Sequence, residues 1–108
     1  MKLLFYSSRF KMFDRSLLDA IQERGIELKR LDSLRELDDI QLDQYRGMIA
    51  HPGVANQREF TDKIARYSSL DVIVFTNLPR DYEKLDGRIP VYAINNVEGI
   101  LAHFEKKR

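Results

Sequence analysis

Polar side chains follow four of the short apolar runs in this sequence, at the points where those runs end. All of them can offer hydrogen-bond donors, and His51 can also carry charge near neutral pH. The set contains no carboxylate, so it is suited to bind an anion or a small polar ligand. The alternative is that these side chains are only solvated and cap the helices that follow. These candidate ligand-binding residues are Ser7, Ser8, His51, Thr76, Asn77 and Asn95, with Asn96 beside them.

Strands that alternate with helices must position these residues. Short β-branched or aromatic runs predict five strands, over residues 2–7, 26–31, 45–50, 70–76 and 91–94. The second is expected at a sheet edge because its neighbours are polar. Segments with apolar spacing near 3.6 predict helices that begin near residues 14, 33, 56 and 96, and the charged stretch 78–88 has room for one short helix.

Several of these helices carry recognisable end signals. Asp14 is predicted as the N-cap of the first helix, over 14–24, and Gly25 as the left-handed residue that ends it. Capping-box spacing occurs at residues 33–36 and 56–59, and Asn96 is predicted to cap the last helix. The buried stripes are predicted to be Phe13, Leu17, Leu18 and Ile21 in the first helix, and Val97, Ile100, Leu101 and Phe104 in the last.

This order of elements predicts one α/β domain over residues 1–108. Strands that alternate with helices require right-handed crossovers and therefore a parallel sheet. Five strands in so short a chain fit a three-layer arrangement with strand order 2-1-3-4-5, the flavodoxin-like and CheY-like order. Ligands of such sheets bind beyond the carboxyl ends of the strands, where the candidate residues are expected to lie.

Composition excludes several classes of protein. The 18 basic and 17 acidic residues leave a net charge of +1, which excludes the strongly basic surface typical of nucleic-acid-binding domains. The absence of Cys excludes disulfides, thiolate chemistry and Cys-ligated metals. The longest apolar runs have four or five residues, too few for a transmembrane helix or a secretory signal. We therefore expect a cytoplasmic protein that binds neither membrane nor nucleic acid.

The chain resembles a CheY-like response-regulator receiver domain over nearly its whole length. Receivers have two acidic residues after strand 1, a phosphoacceptor Asp after strand 3 and a Thr or Ser at the end of strand 4. They also have an aromatic switch residue in strand 5 and a Lys-Pro pair after it. Thr76 and Tyr92 match the hydroxyl and the aromatic residue. The departures are Ser7 and Ser8 at the acidic positions, His51 at the phosphoacceptor position, and Asn95 and Asn96 at the Lys-Pro pair.

The departures fall on the residues that carry receiver chemistry. Magnesium prefers hard oxygen ligands, usually carboxylates, and two serines and a histidine cannot replace three of them. No Asp is placed to accept a phosphoryl group, and no Lys is placed to hold it. The resemblance therefore implies a degenerate receiver, or pseudo-receiver, that undergoes no magnesium-dependent aspartyl phosphorylation.

The opening of the chain is also similar to a second family. Met-Lys-Leu-Leu-Phe-Tyr-Ser-Ser, followed by Asp14-Arg15 and the strand entry at 25–28, looks like the N-terminal flavodoxin-like domain of D-2-hydroxyacid dehydrogenases. Those enzymes also need a Rossmann domain, and no G-x-G-x-x-G occurs here. Ser7-Ser8-Arg9-Phe10-Lys11 has hydroxyls and positive charge like a flavodoxin phosphate loop, but it has no Gly. No flavin, other cofactor or metal is therefore expected.

Three further features of the sequence offer candidate functions. Ser7, His51 and Asp14 can be drawn as a Ser-His-Asp triple, but no G-x-S-x-G elbow supports it, and His103 is expected to be half exposed in the last helix. Tyr92 is a candidate contact residue because Tyr is favoured at interfaces, although a half-buried strand aromatic is the simpler interpretation. Phe10 and Phe13 lie in a loop with Arg9, Lys11 and Met12 that suits docking, or that folds its aromatics onto the core.

These observations lead to a first and a second functional hypothesis. The first is a receiver-like regulatory domain that works without phosphorylation, by binding another protein or a second copy of itself through Tyr92, Phe10 and Phe13. The second is a flavodoxin-like domain that binds a small phosphate-containing ligand at the strand ends. A hydrolase or lyase is a third alternative, without a convincing nucleophile–base pair. We expect no enzymatic activity.

Overall fold

A computed structural model of the chain describes residues 1–67, 69–77 and 89–105. The predicted strands all occur there, within one sheet of five parallel strands ordered 2-1-3-4-5, as the sequence predicts. Several begin or end a residue or two from their predicted bounds. They are β1 (Lys2–Ser7), β2 (Glu27–Leu31), β3 (Gly47–His51), β4 (Val72–Thr76) and β5 (Val91–Ala93). The edge position predicted for β2 is confirmed.

Three α-helices and three 3₁₀ turns lie between the strands or follow β5 in the described ranges. The helices are α1 (Met12–Gln22), α2 (Gln57–Ile64) and α3 (Val97–Glu105), and the turns cover Leu34–Asp39, Leu42–Gln44 and Val54–Asn56. The capping box at Ser33 is confirmed, since Ser33 Oγ accepts the Arg35 N–H at 3.2 Å and Glu36 Oε2 accepts the Ser33 N–H at 2.9 Å. It starts a 3₁₀ helix rather than an α-helix.

Two other predicted caps had different outcomes. Asn96 caps α3 as expected, because its Oδ1 accepts the Gly99 N–H at 3.0 Å. Asn56 is the N-cap of α2, but its side-chain oxygen accepts no capping hydrogen bond; its Nδ2 donates to the Pro52 carbonyl at 3.1 Å. The helix predicted within 78–88 and the basic end at 106–108 lie outside the described residues.

The start of α1 differs from its prediction in a way that matters for the site. The N-cap is Lys11 rather than Asp14, and Asp14 is the third residue of the helix. Asp14 holds the inward position of the first turn, in line with Leu17, Leu18 and Ile21. Phe13 is turned about 100° away from Asp14, which is the rotation per residue of an α-helix, and 61% of it is exposed. Its predicted place on the buried stripe was therefore wrong.

Two apolar cores, one on each face of the sheet, confirm the three-layer arrangement. One core packs α1 and α3 against alternate residues of the strands, among them Phe5, Ile49 and Phe75. The other core packs α2 and the 3₁₀ turn after β2 against the opposite face of the sheet, which carries the strand residues that alternate with the first set, such as Leu4, Met48 and Val74. Strand residues on both faces are buried because the sheet is covered on both sides. Alternation along β1, β3 and β4 therefore assigns each strand-end side chain to one face.

Two glycines show where the backbone has special requirements. Gly25 follows α1 with φ of +79°, the left-handed conformation predicted for it. Gly47 begins β3, and a Cβ built there would stand 2.3 Å from the Asp71 carbonyl oxygen and 2.4 Å from Phe104 Cε1. Only glycine lets β3 approach α3 this closely.

No helix in the described part of the chain is long and apolar enough to cross a membrane.

Candidate functional site

The carboxyl ends of β1 and β3 bring together two of the residues predicted from the sequence. Ser7 and His51 are register partners in the parallel ladder, and the Ser8 N–H donates to the His51 carbonyl at 3.0 Å. Alternation puts both side chains on the α1 side of the sheet, where the His51 ring lies 5.2 Å from the ring of Phe75. The first turn of α1 passes over this position.

That turn delivers a buried carboxylate to the same place. Asp14 is 2% exposed. Its Oδ2 accepts the backbone N–H of Lys11 at 2.7 Å, and its Oδ1 lies 3.3 Å from His51 Nδ1. The strand ends were predicted to form a polar set without a carboxylate. The structure corrects this, because a carboxylate reaches the set from the helix rather than from a strand.

The carboxylate is held in its ionised form. Burial is the largest single influence on the pKa of Asp14 and raises it, since burial disfavours the charged form. Hydrogen bonds from His51, the Lys11 N–H and Ser7, together with the charge interaction with His51, outweigh burial and hold the pKa below its ordinary value. An ionised carboxylate can only accept, so His51 Nδ1 carries a hydrogen and donates a hydrogen bond to Asp14.

This arrangement differs from a Ser-His-Asp triad although it contains the same three residue types. In a triad the imidazole stands between the serine and the carboxylate and removes the serine proton. Here Asp14 stands between Ser7 and His51. The Ser7 hydroxyl has one proton for two acceptors, the Arg9 carbonyl at 3.0 Å and the Asp14 carboxylate. Asp14, rather than His51, is therefore the side chain that accepts from Ser7 Oγ, so the order of groups in a Ser-His-Asp triad is not met.

The remaining strand-end residues do not join this pair on one face. Thr76 is buried, and alternation from Val72 and Val74 places its side chain toward α2, opposite to His51. Ser8, Asn77 and Asn95 are exposed. Ser8 Oγ lies against Gly53, whose φ of +86° turns the chain after β3. Among residues 1–67, 69–77 and 89–105, no three His, Cys, Asp or Glu side chains are grouped so as to hold a metal ion.

The predicted contact residues lie in three different environments. Phe10 is half buried, with the Arg30 guanidinium 3.7 Å and the Arg15 guanidinium 5.3 Å from its ring centre. Phe13 stands free on the first turn of α1. Tyr92 is half buried in β5, with its ring 6.2 Å from that of His103.

His103 itself is less exposed than predicted. Its Nε2 lies 2.9 Å from Asp71 Oδ1, so it joins α3 to the segment before β4. Its side chain is 13% exposed because α3 packs it against the edge of the sheet.

An open cleft of about 460 Å³ lies at the other end of the sheet, against the amino ends of β1 and β3. It is lined by Met1, Lys2, Asp43, Gln44, Tyr45 and Arg46.

Comparison with known proteins yields a fold and no family. No protein-family model matches the chain, and no curated protein matches it. Among solved structures, a transiently phosphorylated switch of bacterial signal transduction aligns with a TM-score of 0.65 at 14% identity, over 98% of this chain and 94% of that one. A fusion containing the yeast Spc42 trimeric coiled coil aligns with a TM-score of 0.68 at 13% identity, over 98% of this chain and 76% of that one.

These similarities confirm the receiver-like fold that the sequence predicts. At such low identity they concern the fold alone. The pseudo-receiver interpretation, the likeness to dehydrogenase domains and the roles of the individual residues stay predictions.

Asp14 is the residue of the site that the sequence interpretation placed incorrectly. The signal was present, because Asp14 precedes Leu17, Leu18 and Ile21 by three, four and seven residues. A polar residue on an otherwise apolar helical stripe must find a partner when the helix packs. Its partner, His51, is 37 residues away, and only the strand pairing brings the two together.

Proposed function

We propose that this chain is a receiver-like regulatory domain that acts by binding another protein and that does not use aspartyl phosphorylation. The fold supports the first part, through its likeness to a bacterial signal-transduction switch. The residues at the ends of β1 and β3 support the second part. A receiver needs an acceptor carboxylate and further carboxylates for magnesium, and here those places hold His51, Ser7 and Ser8.

The observation that carries the proposal is the contact of His51 with Asp14. The position of the phosphoacceptor is filled by an imidazole, and its Nδ1 is engaged by a buried carboxylate. That carboxylate in turn accepts the N–H of Lys11 and fixes the loop between β1 and α1. The residues that would carry out chemistry in a receiver are thus used to hold one loop on the sheet. A fixed loop suits a domain that presents a constant surface.

The same contact weighs against the anion-binding alternative. A phosphate placed against Ser7 and His51 would meet the ionised carboxylate of Asp14, and like charges in a partly buried site repel strongly. The exposed hydroxyl of Ser8 and the amides of Asn77 and Asn95 remain available, but Thr76 is assigned to the other face of β4. We therefore favour the protein-binding function.

A phosphodonor assay tests the proposal. The purified chain is incubated with acetyl phosphate and Mg²⁺, and its intact mass is measured. A receiver with its acidic residues in place serves as the positive control under the same conditions. We expect the control to gain one phosphoryl group and this chain to gain none. A magnesium-dependent gain on this chain that maps to an Asp side chain would overturn the proposal.

A further inference from the structure

Two large apolar side chains stand in solvent at the start of α1, surrounded by basic residues. Met12 is 82% exposed and Phe13 is 61% exposed. Of the residues described, they are the large apolar side chains most open to solvent. Cationic side chains flank them in the sequence on both sides, and β2 contributes one more. We call this surface the α1-tip patch, and its members are Arg9, Lys11, Met12, Phe13, Arg15 and Arg30.

Two of the four basic side chains of the patch contact an aromatic ring rather than an acidic partner. The guanidinium groups of Arg15 and Arg30 both lie over the ring of Phe10, which orders them by cation–π contact and leaves their charges unneutralised. None of the four cations forms an ion pair within the described ranges 1–67, 69–77 and 89–105. Lys2, Arg24 and Lys63, by contrast, pair with Glu27, Glu98 and Asp38.

The one carboxylate inside this segment does not offset the patch. Asp14 points inward to His51 and is almost fully buried. The chain carries a net charge of only +1, yet three of its cationic side chains lie within three residues of the two exposed apolar side chains, and Arg30 joins them through the ring of Phe10. Large apolar groups ringed by basic ones form a surface complementary to an apolar side chain ringed by acidic ones.

We infer that the α1-tip patch binds an acidic protein segment that carries large apolar side chains. This inference rests on the proposed function and names the chemistry of its partner. Met12 and Phe13 supply the apolar contact, Arg9 and Lys11 supply charge beside them, and Arg15 and Arg30 form a guanidinium surface over Phe10 that suits carboxylates.

Two other occupants fit the patch less well. A second copy docked face to face by two-fold symmetry would set the four cations of one patch against the same four of the other. A membrane surface would attract the cations, but two side chains bury far less hydrocarbon than a single myristoyl chain, which itself binds membranes only marginally. An acidic segment satisfies both the charge and the apolar contact.

The test is an NMR titration of the isotopically labelled chain with the peptide Glu-Glu-Phe-Glu-Glu-Leu. We expect saturable amide shifts confined to residues 9–15 and 30, weakened by added salt because screening acts on exposed charges. Arg15→Glu should weaken binding about threefold to tenfold, because it replaces an attraction between exposed charges by a repulsion of similar size. Phe13→Ala should weaken it about tenfold through lost apolar contact. Arg58→Glu, the same charge change on exposed Arg58 of α2, should leave binding unchanged.

Two further probes separate the alternatives. A peptide with Lys in place of every Glu should not bind, and vesicles of phosphatidylcholine with phosphatidylserine should not retain the chain. Absence of shifts with the acidic peptide, equal binding of the Lys peptide, or retention by the vesicles alone would each overturn the inference. Those outcomes concern the patch alone, because the phosphodonor assay tests the proposed function separately.

Discussion

Replacement of Asp14 by Ala offers a sharp test of the site as a structural link. The substitution removes the acceptor of the Lys11 N–H at 2.7 Å and the partner of His51 Nδ1 at 3.3 Å. A hydrogen bond to a charged group contributes about 1.5–3 kcal/mol. His51 keeps access to water, with 27% of its side chain exposed, so its contribution is at the low end. Because removal of the carboxylate also removes the cost of its burial, which offsets part of these two contributions, we expect the free energy of unfolding to fall by about 2–3 kcal/mol.

Urea denaturation followed by circular dichroism measures this change, with the m-value as a check that the transition stays two-state. Asp19→Ala is the matched control, since it removes an exposed carboxylate from the same helix and should change stability by less than about 0.5 kcal/mol. A double-mutant cycle with His51→Ala should give a coupling of about 1 kcal/mol. An Asp14→Ala variant as stable as the Asp19→Ala control would refute the structural role of Asp14.

The same carboxylate predicts how stability depends on pH. The folded-state pKa of Asp14 is lowered from its ordinary value of 3.8, so the unfolded chain takes up this proton first as pH falls. The stabilisation from Asp14 is therefore fully present above about pH 5 and is lost as pH falls through 3.8 and on through the folded-state pKa. Asp14→Asn should flatten the acid limb of the stability curve. An acid limb identical in the variant and the wild type would contradict the lowered pKa.

Two further predictions concern the scaffold. Gly47→Ala should lower the free energy of unfolding by about 3 kcal/mol or prevent folding, because the new Cβ would meet the Asp71 carbonyl and the Phe104 ring. Urea denaturation measures this loss of stability. An unchanged midpoint of the urea transition would argue against this close approach. Ser33→Ala should lower the free energy of unfolding by about 1 kcal/mol in the same assay, because it removes the hydroxyl that accepts the Arg35 N–H. An unchanged free energy of unfolding would show that this cap contributes nothing to stability.

The strands and their order could be predicted from the sequence because their signals are local. Leu3 to Tyr6 and Val72 to Phe75 are unbroken apolar runs, which suit strands covered on both faces. The left-handed residue at Gly25 and the cap at Ser33 also follow from residue type and spacing. Alternation of strands and helices then limits the topology to few choices.

The site itself depended on information that is not local. The rotation of α1 about its axis decides whether Asp14 or Phe13 faces the sheet. A helix that begins one turn or less from its predicted start can turn a different residue toward the sheet. The pairing of Ser7 with His51 depends on the register of β1 against β3. The sequence indicates only that the strand-end residues share an edge of the sheet, and so predicts them as one set. The pleat separates Thr76 from His51, since the two have opposite parity in neighbouring strands.

The central claim is that a receiver-like fold here works without the phosphorylation chemistry of receivers. Its most direct test is an NMR titration with beryllofluoride and Mg²⁺, which mimic the phosphorylated aspartate of a receiver without a covalent transfer. We predict no shift changes at residues 7, 51 and 76, because β3 ends in His51 rather than in an Asp, and the Asp14 carboxylate beside it is buried and already accepts the Lys11 N–H. Saturable, magnesium-dependent shifts at those residues would contradict the claim.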